Sequence, residues 1–366
     1  MSRVFSFCTS GTEAEIIRVK VEPKLKANQE SERLKEIVEA FRRLTVAVLG
    51  DLVADEFVFG EISRVSREAP VLILKHRERT VVPGGGANAV YNLADLGVNV
   101  LPVGVVGDDE PGRLLLQRFR AKRIPLTGVF KLKGYPTVTK TRILAGMTHT
   151  SRQQVVRVDR EPSAPPDVHA VRELVLATRG YARAADALLI SDYGYGAATP
   201  EIFDRIRANV KDLPVTLDSR YRMLEYSGIT AATPNEPEVE AALGVQIGAD
   251  SQKLFAAGEA LMERMKLQSL VITRGRDGMV TFERRREPVS IPIFGSDQVT
   301  DVTGAGDTVI ATFTAAIAAG ADAKSAARLA NYAGGIVVMK RGTATVSRRE
   351  LLAAIEKDAE ERGEQA

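Results

Sequence analysis

The chain has 366 residues, 45% hydrophobic and 27% charged, a composition that belongs to a folded globular protein and excludes a disordered one. Lys and Arg number 50 against 47 Asp and Glu, a net charge of +3, too even a balance for a phosphate-backbone binder, so no nucleic-acid partner is expected. One cysteine, Cys8, and three histidines without metal-ligand spacing exclude a disulfide framework and a cysteine-rich zinc site.

Residues 1–29 are polar and show no period or apolar core ahead of a small-residue cleavage site, so no signal peptide is read. From Glu30 to Leu44 the apolar residues Leu34, Ile37, Val38, Phe41 and Leu44 recur at helical spacing. Residues 1–44 are therefore expected to be an extension carrying one amphipathic helix. The β-branched run Thr45–Gly50 then opens the main domain as a buried strand. Further strands are predicted at Val100–Val106, Ala187–Ile190, Val215–Leu217, Ser269–Thr273 and Ile336–Met339, and helices at Ala89–Leu96, Glu110–Arg120 and Asp250–Met265. Such alternation predicts an α/β domain, residues 45–355, on a mainly parallel sheet with crossover helices. Residues 56–82 and 135–160 depart from it. They alternate β-branched with polar residues, as in Thr137-Val-Thr-Lys-Thr-Arg-Ile143, which predicts a small antiparallel sheet laid over the main one as a lid. Residues 356–366 are charged and are expected to form a solvated tail. No apolar run reaches about 18 residues, so no membrane span is expected and a cytoplasmic location is.

The most informative turn is Asp301-Val-Thr-Gly-Ala-Gly-Asp307, followed by an apolar helical stretch. Gly304, Ala305 and Gly306 would leave backbone N–H groups open at a helix N-terminus, where an anion is favoured. Asp307 at its edge can take the proton of an attacking hydroxyl. The same residues also read as a plain turn with a first-turn acid. Pro83-Gly-Gly-Gly-Ala-Asn88 is a second glycine turn; it does not match a dinucleotide fingerprint, and no Walker-type loop occurs anywhere. Asn88 either binds substrate hydroxyls or caps the following helix. Asp51 and Asp55 lie just beyond the first strand, at the carboxyl edge where open α/β sheets bind ligands, as sugar acceptors or as turn acids. Asn235-Glu-Pro-Glu238 reads as a capping box or as the place where Glu238 meets a hydrated Mg²⁺. Thr273-Arg-Gly-Arg-Asp-Gly278 reads as a phosphate-binding turn or a simple hairpin.

Together and in this order, Gly50-Asp51, Gly84-Gly-Gly-Ala-Asn88, Asn235-x-x-Glu238, Thr273-Arg-Gly-x-x-Gly278 and Asp301–Asp307 resemble the ribokinase-like (phosphofructokinase-B type) carbohydrate kinase family, over residues 44–355. The resemblance implies a three-layer α/β/α sandwich with a mainly parallel central sheet and a small β-sheet lid. Gly50–Gly60, Ser63–Val71, Thr137–Arg142, Ser191-Asp-Tyr-Gly194 and Gly342–Ser347 are most similar to the D-glycero-β-D-manno-heptose 7-phosphate kinases of lipopolysaccharide-core synthesis. Leu217-Asp-Ser-Arg220 departs from the Asp-Pro-Lys expected there, so a lysine's role falls to Arg220 or is lost.

On this resemblance the chain is a sugar kinase that uses ATP to phosphorylate the C1 hydroxyl of heptose 7-phosphate. Asp307 would be the general base and Gly304, Ala305 and Gly306 the anion hole. Asp51, Asp55, Gly84, Gly85, Asn88 and Asp192 would meet the sugar, with Lys140 and Arg142 of the lid at its phosphate and Arg152 and Arg157 as further lid cations. Asn235, Thr273, Gly275, Gly278 and Asn331 would meet ATP. Glu238 would hold Mg²⁺ through water, and Asp301 and Thr303 are candidates for K⁺. Family lids pair between subunits, which implies a homodimer. Bifunctional relatives carry a fused cytidylyltransferase, for which the roughly twenty residues after Val346 leave no room. The competing expectations are a kinase for another sugar, a non-catalytic sugar- or nucleotide-binding regulator, and a nicotinamide dehydrogenase.

Overall fold

The computed structural model describes residues 28–146, 152–295 and 300–365. Helix α1 (28–40) ends in a 3₁₀ turn, Phe41–Arg43, ahead of strand β1 (Thr45–Gly50). A long hairpin follows, β2 (Leu52–Val65) and β3 (Leu72–Gly85), then α2 (Gly86–Asp95), β4 (Asn99–Gly107), α3 (Glu110–Ala121) and β5 (Val129–Leu132). A second hairpin, β6 (Thr139–Gly146) and β7 (Gln153–Arg160), leads to α4 (Val168–Ala182), β8 (Ala187–Asp192) and α5 (Pro200–Ile206). Next come β9 (Val215–Ser219), β10 (Ala231–Ala232), α6 (Glu236–Leu243), α7 (Ser251–Arg264) and β11 (Ser269–Thr273). The chain closes with β12 (Met279–Glu283), β13 (Val289–Ile291), α8 (Ala305–Ala318), α9 (Ala323–Val338) and α10 (Arg348–Gln365).

The main sheet runs β13-β12-β11-β10-β9-β8-β1-β4-β5, parallel except for β12, which is antiparallel to both β11 and β13 at one edge. Its central strands are covered on both faces, which is why they read as unbroken apolar runs. In β1, Val46 and Val48 enter the core shared with α1, α2, α3, α8, α9 and α10, whereas Ala47 and Leu49 enter the core shared with α4, α5, α6 and α7. From β1 the chain crosses to β4 on one side and later returns at β8 on the other. The carboxyl end of β1 is thus a topological switch point, the place where such sheets bind ligands.

The small sheet, β3-β2-β6-β7, stands over that end. Its two hairpins are antiparallel, and the β2–β6 seam that joins them is parallel. Strand β2 starts one residue after β1 stops, and Leu52 pairs with Gly85, so the lid grows directly out of the switch point.

Three expectations need correction. Ile336–Met339 is no strand: Ile336–Val338 form the last turn of α9, a helix packed against α8 and α10, and a short β-branched run at a helix end reads like a strand. Residues 356–365 continue α10 and are not a free tail, because Asp358 accepts from Arg328 and from the Tyr332 hydroxyl. Residues 28–44 of the segment read as an extension are likewise part of the body, since Leu34, Val38 and Phe41 are at most 1% exposed within the main core. Residues 1–27 lie outside the described residues. Strands β5, β10, β12 and β13 were not predicted; each has five residues or fewer.

Candidate active site

The turn before α8 is built on Gly304, which caps the helix at φ 78°, ψ 8°. That left-handed conformation disfavours any residue with a Cβ by about 1–2 kcal/mol, and a Cβ here would also lie 2.5 Å from Asn88 Nδ2. One turn on, Asp307 is 3% exposed. Asn88 Nδ2 donates to its Oδ2 at 3.0 Å, and the Tyr193 hydroxyl donates to its Oδ1 at 2.7 Å. Because α2 begins at Gly86, Asn88 lies inside the first turn and does not cap the helix; its amide reaches across to α8. The amide is held in that sense by Asn92, whose Nδ2 donates to Asn88 Oδ1 at 3.1 Å. Asn92 Oδ1 in turn accepts from the Thr308 hydroxyl and the Val346 amide. Burial pushes the Asp307 carboxyl up to about 7, against the opposing pull of the Asn88 and Tyr193 bonds; Asp55 adds to the rise and Lys140 opposes it. A carboxylate poised near neutrality suits proton abstraction from a hydroxyl.

Asp51, 2% exposed, accepts from three backbone amides: Tyr193 and Tyr195 on Oδ2 at 2.9 Å each, and Ala197 on Oδ1 at 2.8 Å. Burial raises it to about 6, and the amides hold it down. It therefore fixes the loop after β8 that carries Tyr193. Tyr193 was not singled out from the sequence; its place just past a strand beside β1 is the signal that points to it.

At the lid root, Asp55 accepts from Arg142 Nη1 at 2.6 Å and from the Thr343 hydroxyl at 2.9 Å. Gly84 leaves room for that carboxylate, since a Cβ there would lie 2.5 Å from Asp55 Oδ2, and Gly85 takes a positive φ of 53°. Arg142 is thus held by Asp55, Arg157 pairs with Asp159, and the Arg152 guanidinium lies 4.7 Å from the Phe59 ring. Lys140, like Arg152, pairs with no carboxylate among the described residues; it lies 5.7 Å from the Tyr195 ring, and burial lowers its pKa. Asp192 does not face this space. Its carboxylate accepts from the Gly194 amide, the Ser219 and Tyr226 hydroxyls and Arg222, so it is occupied inside the fold.

On the other side of α8 the capping box is realised: Asn235 Oδ1 accepts from the Glu238 amide, and Glu238 Oε2 accepts from the Asn235 amide, both at 2.9 Å. Burial raises the pKa of both Glu238 and nearby Asp218; Glu238 adds to the rise at Asp218, and Arg220 opposes it at both. Among the described residues no group of three or more His, Cys, Asp or Glu could hold a metal ion. Thr273, Gly275, Gly278, Ala305, Gly306 and Asn331 line one cavity of about 180 Å³, whose walls include Met279, Ile293 and Val309. Asn331 is fixed by donating to the Pro292 carbonyl at 2.8 Å. Asp301 accepts from the amides of Thr303 and Gly342, which ties this turn to the loop beyond α9. A larger cavity, about 710 Å³, adjoins Tyr193 and Tyr195. Asp51, Asn88 and Asp307 line neither of the two; of the pair, the smaller one reaches Ala305 and Gly306 at the start of α8.

Residues 45–350 match the model of the pfkB family of carbohydrate kinases. The chain belongs to that family. It is 38% identical over 327 residues to the bifunctional protein HldE of Pelobacter propionicus, covering 88% of this chain and 66% of that protein. To HldE of Geobacter metallireducens it is 40% identical over 317 residues, covering 86% and 63%. This pfkB chain therefore spans slightly less than two thirds of the length of these relatives. Its fold is similar to that of Arabidopsis thaliana ribokinase complexed with ribose and ATP (TM-score 0.65, 20% identity, 86% of this chain and 99% of that one). It also resembles Escherichia coli phosphofructokinase-2 in complex with potassium (TM-score 0.68, 15% identity, 86% and 98%). No helix among the described residues is long and apolar enough to cross a membrane.

Proposed function

We propose that this pfkB kinase transfers the γ-phosphoryl group of ATP to the C1 hydroxyl of D-glycero-β-D-manno-heptose 7-phosphate, giving the 1,7-bisphosphate and ADP. The observation that carries the reading is Asp307: a buried carboxylate near pKa 7, aimed by two donors, in the first turn behind the Gly304–Gly306 amides. The acceptor O–H breaks, its proton passes to Asp307, and its oxygen forms the bond to the γ-phosphorus. The bond from that phosphorus to the β,γ-bridging oxygen breaks, and ADP leaves. The Gly304 and Gly306 amides would stabilise charge on the transferring group, the Ala305 amide being taken up by the Val302 carbonyl. The cavity between Thr273 and Asn331 suits the nucleotide, with apolar walls and few fixed polar groups.

Glu238 and Asp218 fit Mg²⁺ held through water, since they are partly buried acids too few to cage it. Bound there with ATP, Mg²⁺ would neutralise phosphate charge. Asp301 accepts one amide on each oxygen, from Thr303 and Gly342, and keeps a lone pair on each with which it could ligate K⁺. We assign the sugar's phosphate to Lys140, a partly buried lid cation that pairs with no carboxylate among the described residues, in place of Arg142, which Asp55 holds. The test is a substrate panel with coupled ADP detection. Heptose 7-phosphate should turn over well ahead of ribose, fructose and fructose 6-phosphate; turnover of those without heptose 7-phosphate overturns the assignment.

We also read the lid as a dimer seam. Val156 and Val158 on edge strand β7 are 46% and 53% exposed, an apolar edge that an isolated sheet would leave open. Sedimentation should show a dimer for the native chain and a monomer for a V156D/V158D variant; a native monomer defeats this reading.

A further inference from the structure

Two side chains hold Asp307, and one of them lies outside the glycine motifs. Tyr193 sits on the loop after β8, and its hydroxyl reaches the Asp307 carboxylate on α8 at 2.7 Å. We propose that Tyr193 is the positioning residue of the base: by fixing Oδ1 of Asp307 it sets the carboxylate plane and aims a free lone pair at the acceptor hydroxyl. This rests on the kinase reading above.

The loop is built to hold the phenol still. Asp51 commits both carboxylate oxygens to the amides of Tyr193, Tyr195 and Ala197, a use of a buried acid that a passive turn does not need. Gly194 and Gly196 adopt φ 82° and 96°, and a Cβ on Gly196 would lie 2.8 Å from Pro166. Asn88 fixes the other oxygen from an independent element, so each carboxylate oxygen receives one donor and keeps one lone pair. The charged groups that bear on this pair are Asp55 on β2, Lys140 on β6 and Asp218 on β9. Burial, with Asp307 next, pushes the Tyr193 phenol well above its ordinary range, so it stays a donor throughout the working pH. In the transfer step Tyr193 keeps its proton; the acceptor's proton goes to Asp307.

The experiment is the pH profile of kcat/KM. Removing one hydrogen bond to the carboxylate in Tyr193→Phe should move the ascending limb upward by about one pH unit and leave KM for ATP unchanged. Replacing Tyr193 with 3,5-difluorotyrosine, a more acidic donor of nearly the same shape, should move the limb downward. The second variant decides the matter should the first fold poorly. Limbs that superimpose on the native profile overturn the role of Tyr193. An Asp307→Asn variant run in parallel separates the two claims: if it retains native turnover the base reading itself fails, and if it is inactive while the Tyr193 limbs stay unmoved only the present proposal fails.

Discussion

Asp307→Asn should lower kcat by about three orders of magnitude while the affinity for ATP stays within about twofold. Loss of a positioned general base costs roughly 10²–10⁴ in rate, and Asp307 does not line the cavity assigned to the nucleotide. In the native enzyme kcat/KM should rise with pH through about 7, since the base must shed its proton before it can accept another. Stability runs the opposite way. The folded carboxyl keeps its proton up to about 7, whereas the unfolded one loses it near the ordinary aspartate value of 3.8. Folding therefore binds a proton between those values, and this group's contribution falls as pH rises across that window. The asparagine variant carries no such penalty, so above pH 7 it should melt higher than the native protein. Steady-state kinetics and a melting series from pH 5 to 8.5 check both; native activity in the variant removes Asp307 from the chemistry.

Gly304→Ala should damage activity through the backbone. The added methyl requires a left-handed residue at about 1–2 kcal/mol and collides with Asn88 Nδ2 and Thr343 Cγ2. Relief of the collision turns Asn88 away from Asp307 or tilts the amides at the start of α8. Loss of one such oxyanion donor costs about 10²–10³ in kcat, and the same is expected here, with a melting temperature lowered by a few degrees. A variant with native kcat would show that the turn does not bear on the reaction.

The outline of the fold was legible because central parallel strands announce themselves as short apolar runs ended by glycine, as at Thr45–Gly50. The end of α9 misled for a related reason: Gly334-Gly-Ile-Val-Val338 ends in a β-branched run, and local sequence cannot tell a short β-branched helix end from a strand. The glycine turns were legible as places, since positive φ at Gly85, Gly275, Gly278 and Gly304 demands that residue type. What each polar side chain touches was not. Arg142 was placed at the sugar's phosphate for its charge and its place on the lid, and Asp192 at the sugar by resemblance, yet each is occupied by a partner distant in sequence, Asp55 for one and Tyr226 for the other. Tyr193 was passed over because its bond to Asp307 spans 114 residues. Pairings at that range are decided by topology, which composition and spacing do not record.

Asp51 is the single residue between β1, a strand of the rigid sheet, and β2, the first strand of the lid. The lid's other root is Gly84–Gly85, immediately ahead of α2 and Asn88. Each root thus adjoins one of the two arms that grip Asp307: Asp51 through the loop of Tyr193, and Gly85 through the first turn of α2. A tilt of the lid about these roots would therefore load both arms together, so that the pose of the lid and the aim of the carboxylate would be set by one and the same movement.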